Sequence, residues 1–323
     1  MKNVTRRWFA SALAGAGVST AIPARTFAQA PLAEVKISTV GGDSSAGAWF
    51  AQDLGYFKKY GIDGNVAVLR GSGAGGVGAV LGGAVDVAEA DLVALSAAHQ
   101  HGLPIVVLAP SGIYNTDAPI MALAVAADSP IRAAADLHGK TIAVLSLEGP
   151  AKVGASAWLE KNGADLSKVT FVELPGSGMG AALARGTIAA ATINEPFFTS
   201  AGPQVRRLAK CYDAIAPRFL VGAWFTTADW VAKNPITATS FVHAMRESNA
   251  WASRRENQAT TGQLLVRHTS ISADLLANLP RSTYGDVFDA ALWQPLIDAA
   301  ARYHSIARAF PARELLSTVA LTR

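Results

Sequence analysis

The 323-residue chain contains one cysteine, Cys211, so it cannot form an intramolecular disulfide bond. Beyond its first thirty residues it lacks any apolar run approaching the ~20 residues that a transmembrane helix needs. That part of the chain also lacks net charge, because the four basic residues at positions 1–30 account for the formal surplus of +4. Global electrostatics therefore gives no reason to expect binding to nucleic acid or to an anionic membrane.

The first thirty residues have the layout of an export signal. Arg6 and Arg7 precede an aromatic pair, a mildly apolar run occupies positions 10–22, and Ala28-Gln29-Ala30 has the small-residue pattern of a cleavage site. The run is interrupted by glycine and is too short for a membrane anchor, which is the alternative interpretation. We therefore predict that residues 1–30 are a twin-arginine signal and that the mature protein is periplasmic.

One strand–turn–helix–strand pattern occurs twice, at residues 66–92 and 171–198. Each copy combines a β-branched strand, a turn, a short helix closed by glycine, a second strand and a polar tip. The matching turns are Gly71-Ser72-Gly73 and Gly176-Ser177-Gly178. Two copies are too few for a solenoid, so the repeat predicts two similar α/β lobes that face each other.

Acidic residues stand at the ends of the strands in these copies. In an open parallel sheet, strand ends and the following helix N-termini point to one crevice, where backbone N–H groups can hold a polar ligand. Glu89, Asp91, Glu148 and Glu195 are placed there, and Arg70 is the only cation near those turns. Helix capping and pairing between lobes are alternative roles for such acids. If two of them line the site, a ligand with hydrogen-bond donors or a cationic amine fits better than a bare anion.

The remaining pattern extends the two copies into a larger α/β architecture. Apolar runs predict strands at 35–40, 105–109, 119–126, 141–145 and 219–227, a helix at 47–60 and a polar loop at 111–117. From residue 228 to the end the apolar spacing is helical. We expect this tail to pack onto one lobe.

Enzymatic chemistry has little support in the sequence. Gly71, Gly73 and Gly76 nominally fit a dinucleotide fingerprint, but the helix that follows is short, so an exported nicotinamide-dependent oxidoreductase is only an alternative. His99 and His101 are two residues apart and point to different faces of a helix, so they cannot bind one metal ion together. The chain has no G-x-S-x-G motif. We predict no catalytic residue, metal or cofactor.

Several segments together resemble the nitrate/sulfonate/taurine-type substrate-binding proteins of ABC importers. They are residues 48–63, 81–88, 136–144, 171–175 with Met179, and 195–197. The resemblance implies a type II periplasmic-binding-protein fold, with two α/β lobes, two hinge crossings and a ligand cleft. It assigns residues 31–118 and 219–323 to lobe I and 119–218 to lobe II. It also implies a monomer that delivers a small-molecule solute to an ABC permease with an ATPase subunit.

Two positions depart from the family pattern. Ala189 stands where most relatives have the aspartate that Asp86 supplies in the first copy, so this position of lobe II is not expected to bind ligand. Glu89-Ala90-Asp91 is more acidic than expected of a nitrate or sulfonate binder. The thiamine-pyrimidine synthases share this fold, so an exported enzyme of that kind is the second alternative to a binding protein.

The ligand-binding residues are predicted from the positions that the repeat brings to the cleft. Backbone N–H groups would hold a carboxylate or sulfonate end, carboxylates would hold donors or an amine, and two tryptophans would form a stacking wall. The predicted solute is a sulfonate or taurine, an aminopyrimidine or an aromatic acid. The predicted residues are Ser44, Ser45, Trp49, Gly71, Ser72 and Asp91, followed by Ser146, Gly149, Asn194, Glu195 and Trp224.

Overall fold

The computed structural model describes residues 31–69, 73–269 and 271–321. The predicted export signal and the predicted site residues Gly71 and Ser72 lie outside the described residues. The strands are β1 (Ala33–Thr39), β2 (Ile62–Val68), β3 (Val87–Asp91), β4 (Ile105–Pro110), β5 (Gly112–Asn115), β6 (Met121–Ala126), β7 (Thr141–Val144), β8 (Thr170–Glu173), β9 (Ala190–Asn194), β10 (Val205–Ala209), β11 (Arg218–Leu220), β12 (Gly222–Thr227) and β13 (Thr283–Tyr284).

Helices connect these strands and dominate the last hundred residues, as the apolar spacing predicts. They are α1 (Gly47–Asp53), α2 (Tyr56–Lys59), α3 (Gly73–Leu81), α4 (Leu92–Gln100), α5 (Pro150–Lys161), α6 (Gly176–Ala184), α7 (Phe197–Ser200), α8 (Ala228–Lys233), α9 (Pro235–Ala252), α10 (Gln258–His268), α11 (Ala273–Leu276) and α12 (Ala290–Arg302). In the part of the chain that the structure describes, no helix is long and apolar enough to cross a membrane.

Two five-stranded sheets have the same topology, which confirms the predicted two-lobe α/β fold. The order is β2-β1-β3-β12-β4 in the first sheet and β8-β7-β9-β6-β10 in the second. In each sheet the first three strands are parallel, and the fourth runs antiparallel to both of its neighbours. We call the first sheet with its helices lobe I and the second sheet with its helices lobe II.

Equivalent residues of the two lobes are 105 positions apart in β1/β7 and β2/β8, and 103 positions apart from α3/α6 onward. The N–H of Asp86 donates to Lys36 in lobe I, and the N–H of Ala189 donates in the same way to Thr141 in lobe II. Gly83 and Gly186, which follow α3 and α6, both have a φ of 71°, a value that favours glycine. Gly73 is thus the counterpart of Gly176, and the sequence match of Gly71 to Gly176 is wrong by two residues.

A third, three-stranded sheet in the order β11-β5-β13 lies where the chain crosses between the lobes. The predicted polar loop at 111–117 is wrong over β5, which lies in the first crossing, from lobe I to lobe II. It pairs antiparallel with β11, which lies in the return crossing. Asp213 joins the same region by accepting hydrogen bonds from the hydroxyls of Tyr114 (2.6 Å) and Thr116 (2.9 Å). Both crossings therefore belong to one hydrogen-bonded element.

The loop that follows β1 is held to the helical tail by Asp43. Its carboxylate accepts hydrogen bonds from the guanidinium of Arg281 (3.0 and 3.2 Å), from the N–H of Ser282 (2.7 Å) and from the hydroxyl of Tyr284 (2.9 Å). The side chains of Arg281 and Asp43 are only 16% and 14% exposed. This cluster fixes the loop that carries Ser44 and Ser45.

Candidate functional site

The carboxyl-terminal strand ends of each lobe form its candidate binding surface. In lobe I these are the ends of β1, β2 and β3, which are followed by α1, α3 and α4. In lobe II they are the ends of β7, β8 and β9, which are followed by α5, α6 and α7. Large apolar side chains are unusually exposed at these ends, which favours contact with an apolar part of a ligand. They are Val40, Val68 and Leu69 in lobe I and Leu145, Leu147 and Phe197 in lobe II.

The predicted serines after β1 take part in local hydrogen bonds. Ser45 is buried, and its hydroxyl exchanges hydrogen bonds with the backbone of Gly42 (3.0 and 3.1 Å). The carbonyl oxygen of Ser44 accepts a hydrogen bond from the Ser111 hydroxyl (2.7 Å). The Ser45 hydroxyl therefore closes its own turn. Ser44 contacts the first crossing through its carbonyl oxygen.

Asp91 ends β3 and caps α4. Its carboxylate accepts a hydrogen bond from the N–H of Ala94 (2.9 Å), which satisfies one of the donors at the start of the helix. The carboxylate also lies beside Gly73, because a Cβ on Gly73 would come within 2.5 Å of Asp91 Oδ2. Burial raises the pKa of Asp91 to about 6. This predicted site residue lies at the strand end, next to the first turn of α3.

Glu89 lies two residues earlier on β3. The sequence pattern indicates an acid at a strand end here, although Glu89 is not among the predicted site residues. Its side chain is 6% exposed, and no described residue hydrogen-bonds to its Oε2 atom. Burial and the neighbouring Asp91 raise its pKa to about 8, opposed in part by the nearby Ser111 hydroxyl. A buried acid with one unpartnered oxygen is typical of functional sites.

In lobe II the predicted residues Ser146 and Gly149 lie at the start of α5. Gly149 is the N-cap residue, and its N–H donates to the carbonyl oxygen of Ser146 (3.3 Å). The Ser146 hydroxyl accepts a weak hydrogen bond from the N–H of Glu148 (3.3 Å). No described side chain caps α5. The N–H of Gly149, which is predicted to hold an acidic end of the solute, is bonded within its own turn.

Asn194 and Glu195 follow β9 and are bonded to their own turn. The amide of Asn194 donates to the carbonyl oxygen of Glu195 (3.1 Å), and Glu195 Oε2 accepts from the N–H of Thr199 (3.1 Å). Burial raises the pKa of Glu195, opposed by the Thr199 hydrogen bonds and the charge of Arg207. One oxygen of Glu195 is therefore occupied in stabilising α7.

Both tryptophans of the predicted stacking wall are packed in the core of lobe I. Trp49 is 2% exposed and stacks on His268 with 5.0 Å between ring centroids. Trp224 is fully buried on β12, where its ring meets Phe241 edge-on at 6.3 Å. Neither ring presents a face to solvent, so these positions correspond to core packing, the usual role of a large aromatic in a strand or helix.

Residues with catalytic or metal-binding chemistry are dispersed. Cys211 is buried, which raises the pKa of its thiol to about 12, so the thiol is protonated at neutral pH. His138 accepts a hydrogen bond from the N–H of Asp165 (2.9 Å), and His268 contacts Asp53 (2.8 Å). Within residues 31–69, 73–269 and 271–321, no three His, Cys, Asp or Glu side chains are grouped to hold a metal ion.

Comparison with known proteins gives one family and a consistent set of folds. The family described as NMT1/THI5 like matches residues 43–259. The chain is similar in structure to the periplasmic aliphatic sulphonate binding protein SsuA from Escherichia coli, with 18% identity, a TM-score of 0.71 and coverage of 88% of this chain and 92% of that chain. No match was found among curated proteins.

Two further solved structures extend the comparison. The alkanesulfonate-binding protein SsuA from Xanthomonas axonopodis pv. citri bound to MOPS is 18% identical, with a TM-score of 0.67 and coverage of 91% of this chain and 97% of that chain. The periplasmic nitrate-binding protein NrtA from Synechocystis PCC 6803 is 19% identical, with a TM-score of 0.63 and coverage of 76% and 69%. At these identities the likeness establishes the shared fold.

Proposed function

Because the chain belongs to the NMT1/THI5-like family, whose match covers residues 43–259, we propose that it is the solute-binding component of an ABC import system. It would bind a small organic solute in the cleft between lobes I and II and deliver it to a permease driven by an ATPase subunit. The observation that carries this proposal is the pair of sheets with one topology, joined by two crossings through a shared third sheet.

We propose that the solute is a sulfonate such as taurine, an aminopyrimidine or an aromatic acid. Two properties of the strand ends bear on the choice. Glu89, Asp91 and Glu195 all have raised pKa values, and the exposed apolar side chains at the same ends suit an apolar body. A solute with an apolar body and hydrogen-bond donors fits these surroundings better than a bare anion such as nitrate.

Binding should close the two lobes, which we propose to be residues 31–118 with 219–323 and residues 119–218. Small-angle scattering of the purified protein should give a smaller radius of gyration with saturating solute than without it, because closure requires contacts with both lobes. The solute would be found by a thermal-shift screen across the three proposed classes. Identical scattering curves at saturation would count against closure.

We also propose export by the twin-arginine route to the periplasm, which rests on Arg6 and Arg7. Replacing both arginines by lysine is expected to leave the precursor in the cytoplasm. Cell fractionation and immunoblotting would measure the location. Normal recovery of the double variant in the periplasm would mean that another route suffices.

The alternative of an exported enzyme gains no specific support from the described residues. A dinucleotide fingerprint would require a full-length helix after the Gly-rich turn, and α3 has nine residues. The buried Cys211 thiol is protonated at neutral pH, which does not suit a nucleophile. We therefore propose reversible binding without chemical conversion, and the solute found by screening should be recovered unchanged after incubation.

A further inference from the structure

Glu89 lies where β3 meets both crossings between the lobes. On β12, the strand that returns from lobe II, Trp224 is its register partner. A Cβ on Gly222, the first residue of β12, would come within 2.4 Å of Glu89 Oε1. The Ser111 hydroxyl, at the start of the first crossing, is also close to the carboxyl. The side chain therefore lies at the carboxyl-terminal edge of the lobe I sheet, at the base of the proposed cleft.

Among the described residues, no cation lies beside Glu89 to neutralise a negative charge. Asp91, on the same strand, is the nearby charged group and has the same sign, whereas Gly222 and Trp224 on β12 and Ser111 on the crossing carry no charge. The Ser111 hydroxyl donates a hydrogen bond to the carbonyl oxygen of Ser44 (2.7 Å), and it opposes the raised pKa of Glu89 only in part. Asp43, in the loop after β1, is already paired with Arg281. A buried carboxyl left in this state is costly, because burial without a partner sacrifices hydrogen bonds to water.

We propose that Glu89 is a ligand-binding residue that pairs with a protonated nitrogen group of the solute, an amine or an amidine carried on an apolar body. This inference rests on the proposed solute-binding function and specifies the solute class. A cationic donor would satisfy Oε2 with a charge-assisted hydrogen bond and would be attracted by Asp91 as well. The exposed apolar side chains at the strand ends would contact the remainder of the solute. A sulfonate or nitrate group at this position would instead face two acids.

Matched probes test the charge preference directly. The purified protein would be titrated calorimetrically with 2-phenylethylamine and 4-amino-5-hydroxymethyl-2-methylpyrimidine, and in parallel with 3-phenylpropionate and 2-phenylethanesulfonate. We expect the nitrogen bases to bind and the anions to bind at least tenfold more weakly. The variant Glu89→Gln, which keeps the side-chain shape, should weaken binding of the bases by about ten- to a hundredfold.

A surface glutamate provides the control for net charge. Glu256, in the short turn between α9 and α10, is exposed, and Glu256→Gln should leave affinity within twofold of the unsubstituted protein. Glu89→Gln should also melt at the same temperature as the unsubstituted protein or higher in the absence of probe, because an unpaired buried carboxyl is removed. A large loss of stability with unchanged affinity would make Glu89 a structural residue and overturn the inference.

Proton release gives a second readout that needs no variant. With a pKa of about 8, Glu89 is roughly nine-tenths protonated at pH 7, so pairing with a cation should release close to one proton. Calorimetry in buffers of different ionisation enthalpy measures this number, and affinity for the amine should rise between pH 6 and pH 8. Tight anion binding that survives Glu89→Gln would overturn the inference and leave solute binding intact. Failure of every probe to bind would instead contradict the proposed function.

Discussion

Replacing Asp43 by alanine is expected to lower the free energy of unfolding by roughly 3 to 5 kcal/mol, because it removes one partner of a largely buried ion pair. The change leaves the guanidinium of Arg281 without its carboxylate and removes the acceptor for the N–H of Ser282. The Tyr284 hydroxyl keeps the backbone carbonyl oxygen of residue 43 (2.7 Å) as its acceptor. It also frees the loop after β1 from the helical tail. Urea denaturation followed by circular dichroism would measure the loss.

An exposed aspartate provides the matched control. Asp229 pairs with Lys233 at 2.8 Å, but these side chains are 70% and 71% exposed, and exposed pairs of this kind contribute about 0 to 1 kcal/mol. Asp229→Ala should therefore shift the urea midpoint only slightly. Equal losses in the two variants would show that burial around Asp43 does not determine the strength of this interaction.

The second large effect is expected from Gly112→Ala at the start of β5. A Cβ there would lie 2.5 Å from the Cβ and 2.6 Å from the carbonyl oxygen of Ser44. These atoms cannot rotate away, so the loop after β1 must move, and crowding of this kind costs typically 1 to 3 kcal/mol. Because the loop borders the candidate binding surface, we expect the variant to lose both stability and solute affinity.

Gly75→Ala is the control for the Gly112 substitution. Gly75 lies inside α3, and a Cβ at this position has no neighbouring atom within 4 Å. Alanine should stabilise the helix there by roughly 0.5 to 1 kcal/mol. Thermal melts and calorimetric titrations of both variants would separate crowding from loss of glycine flexibility. A Gly112→Ala protein as stable as Gly75→Ala would contradict the close approach to Ser44.

Sequence patterns predicted the lobes well because both sheets depend on local signals. β-branched runs, glycine turns and short helices repeat in register, and these determine β1 to β3 and β7 to β9. The predicted helix at 47–60 is interrupted at Gly55, which has a φ of 79° and separates α1 from α2. The strands β5, β10 and β13 were missed because their pairing depends on partners distant in sequence.

The individual site residues were harder to predict, because their roles depend on contacts between distant segments. The strand position of Trp224 would suit either the core or a cleft. Its side chain is in the core because Phe241 of α9 packs against the ring. Ser45 carries the right chemistry for a ligand, but its hydroxyl bonds to its own turn. Glu89 was recognisable as an acid at a strand end. That no described residue hydrogen-bonds to its Oε2 atom depends on contacts with β12 and the crossings, which are distant in sequence.

The place of β12 in the lobe I sheet has a consequence for the order in which the protein can fold. The strands of the lobe II sheet are contiguous along the chain, from β6 to β10, whereas β12 is inserted between β3 and β4 and must be synthesised before the lobe I sheet is continuous. Lobe II can therefore assemble while lobe I still exposes two unpaired inner edges to the chaperones of the cell. Completion of the lobe I sheet therefore requires the chain as far as Thr227.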